Sequence, residues 1–114
     1  MLVNSTKGKI LAKRVAVARS FGRRLKGLLF RKELPPGEAL IIEPCKSVHT
    51  FFMLFPIDLI FYDDKGRVIS VFPALPPFRL TPVIRPARGV VELPAGTITE
   101  TGTETGDTIR FEDG

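Results

Sequence analysis

The apolar residues of this chain come in short runs whose period changes several times, and each change predicts an element. Leu2-Val3-Asn4 reads as a short strand, followed by a turn at Lys7-Gly8. Residues 9–18, KILAKRVAVA, predict a single strand in which Val15 and Val17 alternate with small Ala16 and Ala18. The period then turns helical. Phe21, Leu25, Leu28 and Leu29 share one face behind Ser20, a good N-cap, and Arg23, Arg24 and Lys26 fill the other. Gly27 and the Pro35-Pro36-Gly37 break keep that helix short. Ala39 to Ile42 predicts a buried strand stopped at Glu43-Pro44.

The second half predicts more strands. Ile57 to Tyr62 and Arg67 to Phe72 pair across Asp63-Asp64-Lys65-Gly66, a turn in which Gly66 supplies a positive φ. Residues 73–88 contain five prolines and no clear period, which predicts a long ordered arm. Gly89 to Leu93 is a strand closed by Pro94-Ala95-Gly96. The Thr-rich TITETGTETGD predicts a short poor helix or an irregular turn before a last strand, Thr108 to Phe111. The sum is a mostly β, α+β domain covering residues 1–114. A small barrel-like or strongly bent antiparallel or mixed sheet, with one or two short helices, would hide its edges.

Composition narrows the chemistry. One cysteine, Cys45, excludes an internal disulfide framework and a zinc site built on cysteine pairs, and no metal or cofactor is expected. No apolar run reaches the roughly 18 residues of a membrane span. The opening MLVNSTKGKILAKR has no apolar stretch ahead of its charges, so an export signal is not expected and cytoplasmic residence is. The absence of glutamine, the single asparagine and the many Lys, Arg, Glu and Pro suit a thermostable protein. The net charge of +5 is uneven. Residues 1–34 hold ten basic residues against one acid, a net +9; residues 35–114 hold seven against eleven, a net −4. A basic third of this kind either faces an anionic partner or balances acids elsewhere in the fold.

The densest stretch is Val48 to Asp58, VHTFFMLFPID, with the only histidine and three of the nine phenylalanines. Its apolar residues cannot all point inward on one strand, since neighbours face opposite sides. Some must be covered by the proline arm, line a pocket or meet a partner. Cys45 and His49 lie four apart, but no oxyanion loop accompanies them. No phosphate-binding glycine motif occurs.

The run CKSVHTFFMLFPIDLIFYDDKGRVISV, the proline arm, VVELPAG and the Gly-Asp before the last strand together resemble an uncharacterised bacterial and archaeal family, domain of unknown function number 192. Arg24-Leu25-Lys26-Gly27-Leu28 matches that family's upstream signature, and the likeness runs from about Ala18 to Phe111. It implies a β-rich fold of one domain and supplies no activity. Relatives often carry a basic residue where this chain has Leu54, and others replace the histidine-bearing stretch with Trp-Met-Lys-Asn-Thr.

The leading functional expectation is a non-enzymatic module that binds a small molecule or a protein. Its groove would be floored by Val48 to Asp58 and roofed by Pro73 to Arg88. His49, Thr50 and Asp58 would be its polar points and Phe52 and Met53 its apolar wall, with Arg67, Arg79 and Glu92 nearby. An arginine there would favour a carboxylate or phosphate. The alternatives are a hydrolase using His49 with Asp58 or Cys45, and nucleic-acid or acidic-partner binding through the basic N-terminal third.

Overall fold

A computed structural model of the chain describes residues 1–19, 34–51 and 53–113. The helix expected behind Ser20 falls on residues 20–33, outside the described residues, as does Phe52. The described residues form eight strands, β1 (Leu2–Asn4), β2 (Lys9–Ala12), β3 (Arg14–Ala18), β4 (Glu38–Ile42), β5 (Ile57–Tyr62), β6 (Val68–Leu75), β7 (Gly89–Pro94) and β8 (Ile109–Phe111), and one helix, α1 (Thr97–Thr101). They build two sheets and no closed barrel: a three-stranded sheet ordered β2-β1-β8, and a five-stranded sheet ordered β3-β4-β7-β5-β6. Only β3 and β4 run parallel; every other pair is antiparallel.

The hydrophobic runs predict position in the larger sheet. The inner strands β4, β5 and β7 are buried on both faces and read as nearly unbroken apolar runs. The edge strand β3 alternates exposed and half-buried residues, as its alternating sequence requires. Ile60, Val91, Leu93 and Ile41 pack on one face against Leu2, Leu11 and Ile109 of the smaller sheet and Ile98 of α1. Leu40, Leu59, Phe61 and Val90 pack on the other face against Cys45, Val48, Met53 and Ala87 from the connecting segments.

One expected strand is two. Residues 9–18 are extended, but the chain turns at Lys13 and passes from one sheet to the other. The Lys13 and Arg14 amides both donate to the Gly37 carbonyl, at 2.8 and 3.0 Å. That acceptor lies beyond the reach of any local pattern. The expected hairpin is present: Asp63 Oδ1 accepts the Lys65 and Arg67 amides at 2.9 Å each, which closes the turn. A side chain at Gly66 would come within 2.7 Å of the Ile109 carbonyl, so the hairpin tip sits directly on β8.

Two buried polar groups fasten these parts. Asp58, fully buried in β5, takes the Ala74 amide at 2.7 Å and the Gly96 amide at 3.3 Å on Oδ1, and the Ile98 amide at 2.7 Å on Oδ2. The Ala74 contact fixes a bulge: residues 57 to 59 of β5 face residues 75 to 72 of β6, one residue more, and Ala74 takes φ 48°. The other two contacts hold the first turn of α1, whose N-terminal Gly96 has no side chain to cap it. Asn4, also fully buried, donates to Thr103 Oγ1 at 3.0 Å and Asp107 Oδ2 at 2.9 Å, and accepts the Lys7 amide at 3.0 Å. Burial alone would raise the Asp107 pKa, but the hydrogen bonds from Asn4 and the Glu104 amide and the charge of Lys7 outweigh it and hold it below the usual carboxylate value.

Asp58→Ala leaves three backbone donors without their acceptor, and a loss on the order of 3 kcal/mol is expected from urea denaturation. Asp107 adds a pH dependence. Its folded pKa lies below its unfolded value, so its contribution is complete above that unfolded value, about 3.9. It is lost as pH falls through the folded value. The stability margin of wild type over Asp107→Asn should be flat above about pH 5 and shrink below about pH 4.

Candidate functional site

The floor and the roof expected from sequence are in contact. The segment after Cys45 and the proline arm are joined by an irregular antiparallel seam. The Thr81 amide donates to the Val48 carbonyl at 2.9 Å, the Thr50 amide to the Arg79 carbonyl at 2.8 Å, and the Phe78 amide to the Thr50 carbonyl at 3.1 Å. The Ile84 amide reaches the Lys46 carbonyl at 2.7 Å. Two threonine hydroxyls lock the seam. Thr81 Oγ1 accepts the Val48 amide at 2.9 Å; Thr50 Oγ1 accepts the Arg79 amide at 2.9 Å and donates to the Pro76 carbonyl at 2.7 Å. Lys46 Nζ also donates to the Arg85 carbonyl. Arm and segment therefore seal one face of the large sheet, with Met53 and Val48 buried beneath.

This geometry separates the residues that the sequence grouped. Thr50 is fully buried and its hydroxyl is taken up by arm backbone. Asp58 is opposite Leu93 in the register, so its side chain is on the far face of the sheet, with Ile60 and α1. It is thus remote from His49 as an acid–base partner and serves as a backbone anchor. Glu92 is the exception: it stands opposite Leu40 and Leu59, so its side chain is buried on the sheet face that the seam covers. Arg67 follows the hairpin turn beyond the far end of β5 and bridges to Thr108. Cys45 is buried, and its thiol donates to the Ser47 carbonyl at 3.1 Å. Among the described residues no group of three His, Cys, Asp or Glu side chains could hold a metal ion. In the basic N-terminal third, Lys7 pairs with Glu104 and Asp107, and Arg19 with Glu43, so these charges meet acids of the second half.

Arg79 is exposed on the seam, whereas His49 is half-buried in apolar company with its Nδ1 withdrawn from solvent. His49 lies opposite Leu80 and stacks on Phe51 with ring centres 5.3 Å apart. Of the seven large apolar side chains exposed among the described residues, five belong to the seam and its margins: Phe51, Leu54, Phe78, Leu80 and Val83. Phe78 is 70% exposed although its backbone is held at φ 63°, a region unfavourable for a bulky residue. Residues 44–57 and 65–91 contain no acid, whereas Lys46, Arg79 and Arg85 belong to the two segments that the seam joins.

A second feature had no sequence signal, because its members lie in four separate segments. Glu43, at the end of β4, accepts the Tyr62 hydroxyl at 2.6 Å and faces Arg19 at 3.5 Å and Arg88 at 3.6 Å. Burial first, then the hydrogen bond to Glu43, push the Tyr62 phenol well above the usual tyrosine range, so it stays a donor. Gly89 makes room for the pair: a Cβ there would stand 2.5 Å from the Tyr62 hydroxyl and 2.8 Å from the Ile42 carbonyl.

The family profile described as "Uncharacterized ACR", DUF192, matches residues 2–111. A UPF0127 protein of Pyrococcus horikoshii is 38% identical over 97% of this chain and 98% of its own length. One from Thermococcus sibiricus is 35% identical over 98% of this chain and 75% of its own. Among solved structures, a protein of unknown function from Novosphingobium aromaticivorans superposes with a TM-score of 0.83 at 26% identity, over 96% of this chain and 82% of that one. A structure from Sinorhizobium meliloti, at 22% identity and TM-score 0.74 over 84% of this chain and 79% of that one, shares the fold.

Gly89→Ala should destabilise the protein by about 1–3 kcal/mol, because the Ile42 carbonyl cannot move aside. Tyr62→Phe should cost about 1 kcal/mol by leaving Glu43 without its neutral donor. The double variant should lose less than the sum of the two single losses, since removing the hydroxyl relieves the nearer clash; thermal denaturation of all four proteins measures the coupling.

Proposed function

The chain belongs to the DUF192 family, whose description names no reaction, and from that starting point we propose that it is a non-enzymatic binding module whose recognition surface is the outer face of the seam. What supports the reading is the concentration of exposed apolar side chains there, Phe78 above all, held outward by a strained backbone. Clustered exposed apolar surface marks interaction sites in soluble proteins. The occupant it fits is an apolar protein segment bearing acidic residues. Phe51, Leu54, Phe78 and Leu80 supply aromatic and aliphatic anchors, and Lys46, Arg79 and Arg85, with no acid among them, supply the complementary charge. The hydrogen-bonded seam beneath keeps these side chains in place before a partner arrives, which lowers the entropy cost of binding.

The test uses two peptide series in which Leu and Phe alternate with Glu or with Lys. The Glu series should bind with a dissociation constant of roughly 10–100 μM, weakening as salt is raised. Phe78→Ser with Leu80→Ser should abolish that binding and leave thermal stability within about 0.5 kcal/mol, because both side chains are exposed. Equal binding of both series, or of neither, removes the reading.

A further inference from the structure

We propose that the cleft around Glu43 is a binding site for a small organic anion, its oxyanion head held between Arg19 and Arg88 and its short apolar body lying in the crevice between the two sheets. The first observation is the geometry of the arginines. Both approach the one carboxylate of Glu43 through Nε, at 3.5 and 3.6 Å, so two cations share one anion. Approach through Nε leaves the terminal nitrogens of each guanidinium for other acceptors, and a planar fork of that kind matches carboxylates and phosphates. Arg88 does turn Nη1 toward Asp64, but at 3.7 Å and onto a carboxylate that is 85% exposed, a pairing that water screens heavily. The arginines are themselves largely exposed, so their pairs add little stability and leave their placement without a purely structural account.

The second observation is space. Among the described residues, a cavity of about 240 Å³ is lined by Arg19, Glu43, Pro44 and Arg88. A neighbouring cavity of about 190 Å³ shares Glu43 and Arg88 and has an apolar side of Leu2, Ile41, Ile109 and Phe111; Tyr62, Asp63, Asp64 and Arg110 line the rest, so the apolar body and not the charged head belongs there. Each is below the roughly 300–1,000 Å³ of pockets that enclose larger ligands, so together they suit a head and a short tail. The third is construction. Glu43 is four-fifths buried and oriented by the Tyr62 hydroxyl at 2.6 Å, which bonds the same oxygen, Oε2, that Arg88 faces. Gly89 is the residue that lets Tyr62 and Glu43 approach each other so closely. A fixed carboxylate holding two arginines apart at a cavity mouth is the arrangement of a preformed oxyanion clamp.

Four probes read by NMR titration of the full chain test this. Hexanoate and hexyl phosphate have the proposed body; acetate and inorganic phosphate are heads alone. At least one six-carbon probe should shift the amides of Arg19, Arg88 and Phe111, and bind at least about tenfold more tightly than its own head. The head that gains more identifies carboxylate or phosphate as the recognised group. Arg88→Gln and Arg19→Gln should each weaken that probe at least about fivefold while the thermal midpoint stays near wild type, as exposed pairs allow. No binding by either six-carbon probe up to about 20 mM, no gain over the bare heads, or affinity unchanged in both variants overturns the proposal.

Discussion

Three backbone amides that no neighbouring strand can satisfy converge on the carboxylate of Asp58, and the architecture depends on that convergence. The donors belong to a bulge in β6 and to the first turn of α1, both irregular and both tied to one carboxylate buried on the same sheet face. The buried Asp58 carboxylate needs donors, and these partly covered amides, which the strand ladder does not use, need an acceptor; a side chain on the adjacent inner strand reaches all three. Position explains why Asp58 sits in an otherwise apolar strand. Its neighbours make the core, while Asp58 makes compatible with that core two turns that a regular ladder would exclude.

That role explains what was legible in the sequence and what was not. Periodicity and turn chemistry are local, so the hairpin at Asp63–Gly66 and the runs that become β4, β5 and β7 could be read directly. The turn at Lys13 could not, because it is set by the carbonyl of Gly37 across a long connection. Asp58 drew notice as a polar residue in an aromatic stretch. The alternation that puts it on the face away from His49 was readable, but its amide partners at 74, 96 and 98 were not. His49 and Thr50 do meet the arm, at Leu80 and Arg79, as a sealed seam in place of an open groove, since backbone pairing closes the gap that a ligand would need. The Glu43 cleft was silent for a different reason. Its glutamate, tyrosine and arginines are ordinary residues until the sheet register brings them together.

The same fold thus presents two surfaces of contrasting physics. The seam carries exposed apolar side chains, whereas the Glu43 cleft is small and polar at its mouth. One lies over the sheet face covered by the arm, and the other opens between the two sheets. The positions that shape them are therefore separable: a change at Phe78 or Leu80 leaves the Glu43–Tyr62 hydrogen bond alone.

The place of β1 in the smaller sheet has a consequence for how the molecule comes into being. Leu2, Val3 and Asn4 lie between β2 and β8, paired on one side with residues close in sequence and on the other with Phe111, Arg110 and Ile109. During synthesis the β1–β2 hairpin is made with one edge exposed, and the strand that covers that edge follows about a hundred residues later. Closing so long a loop gives the chain a high contact order, which slows folding, and it leaves an unpaired edge open to wrong partners in the interval. Shielding that nascent edge is a task that falls outside the finished structure, on the cell that makes it.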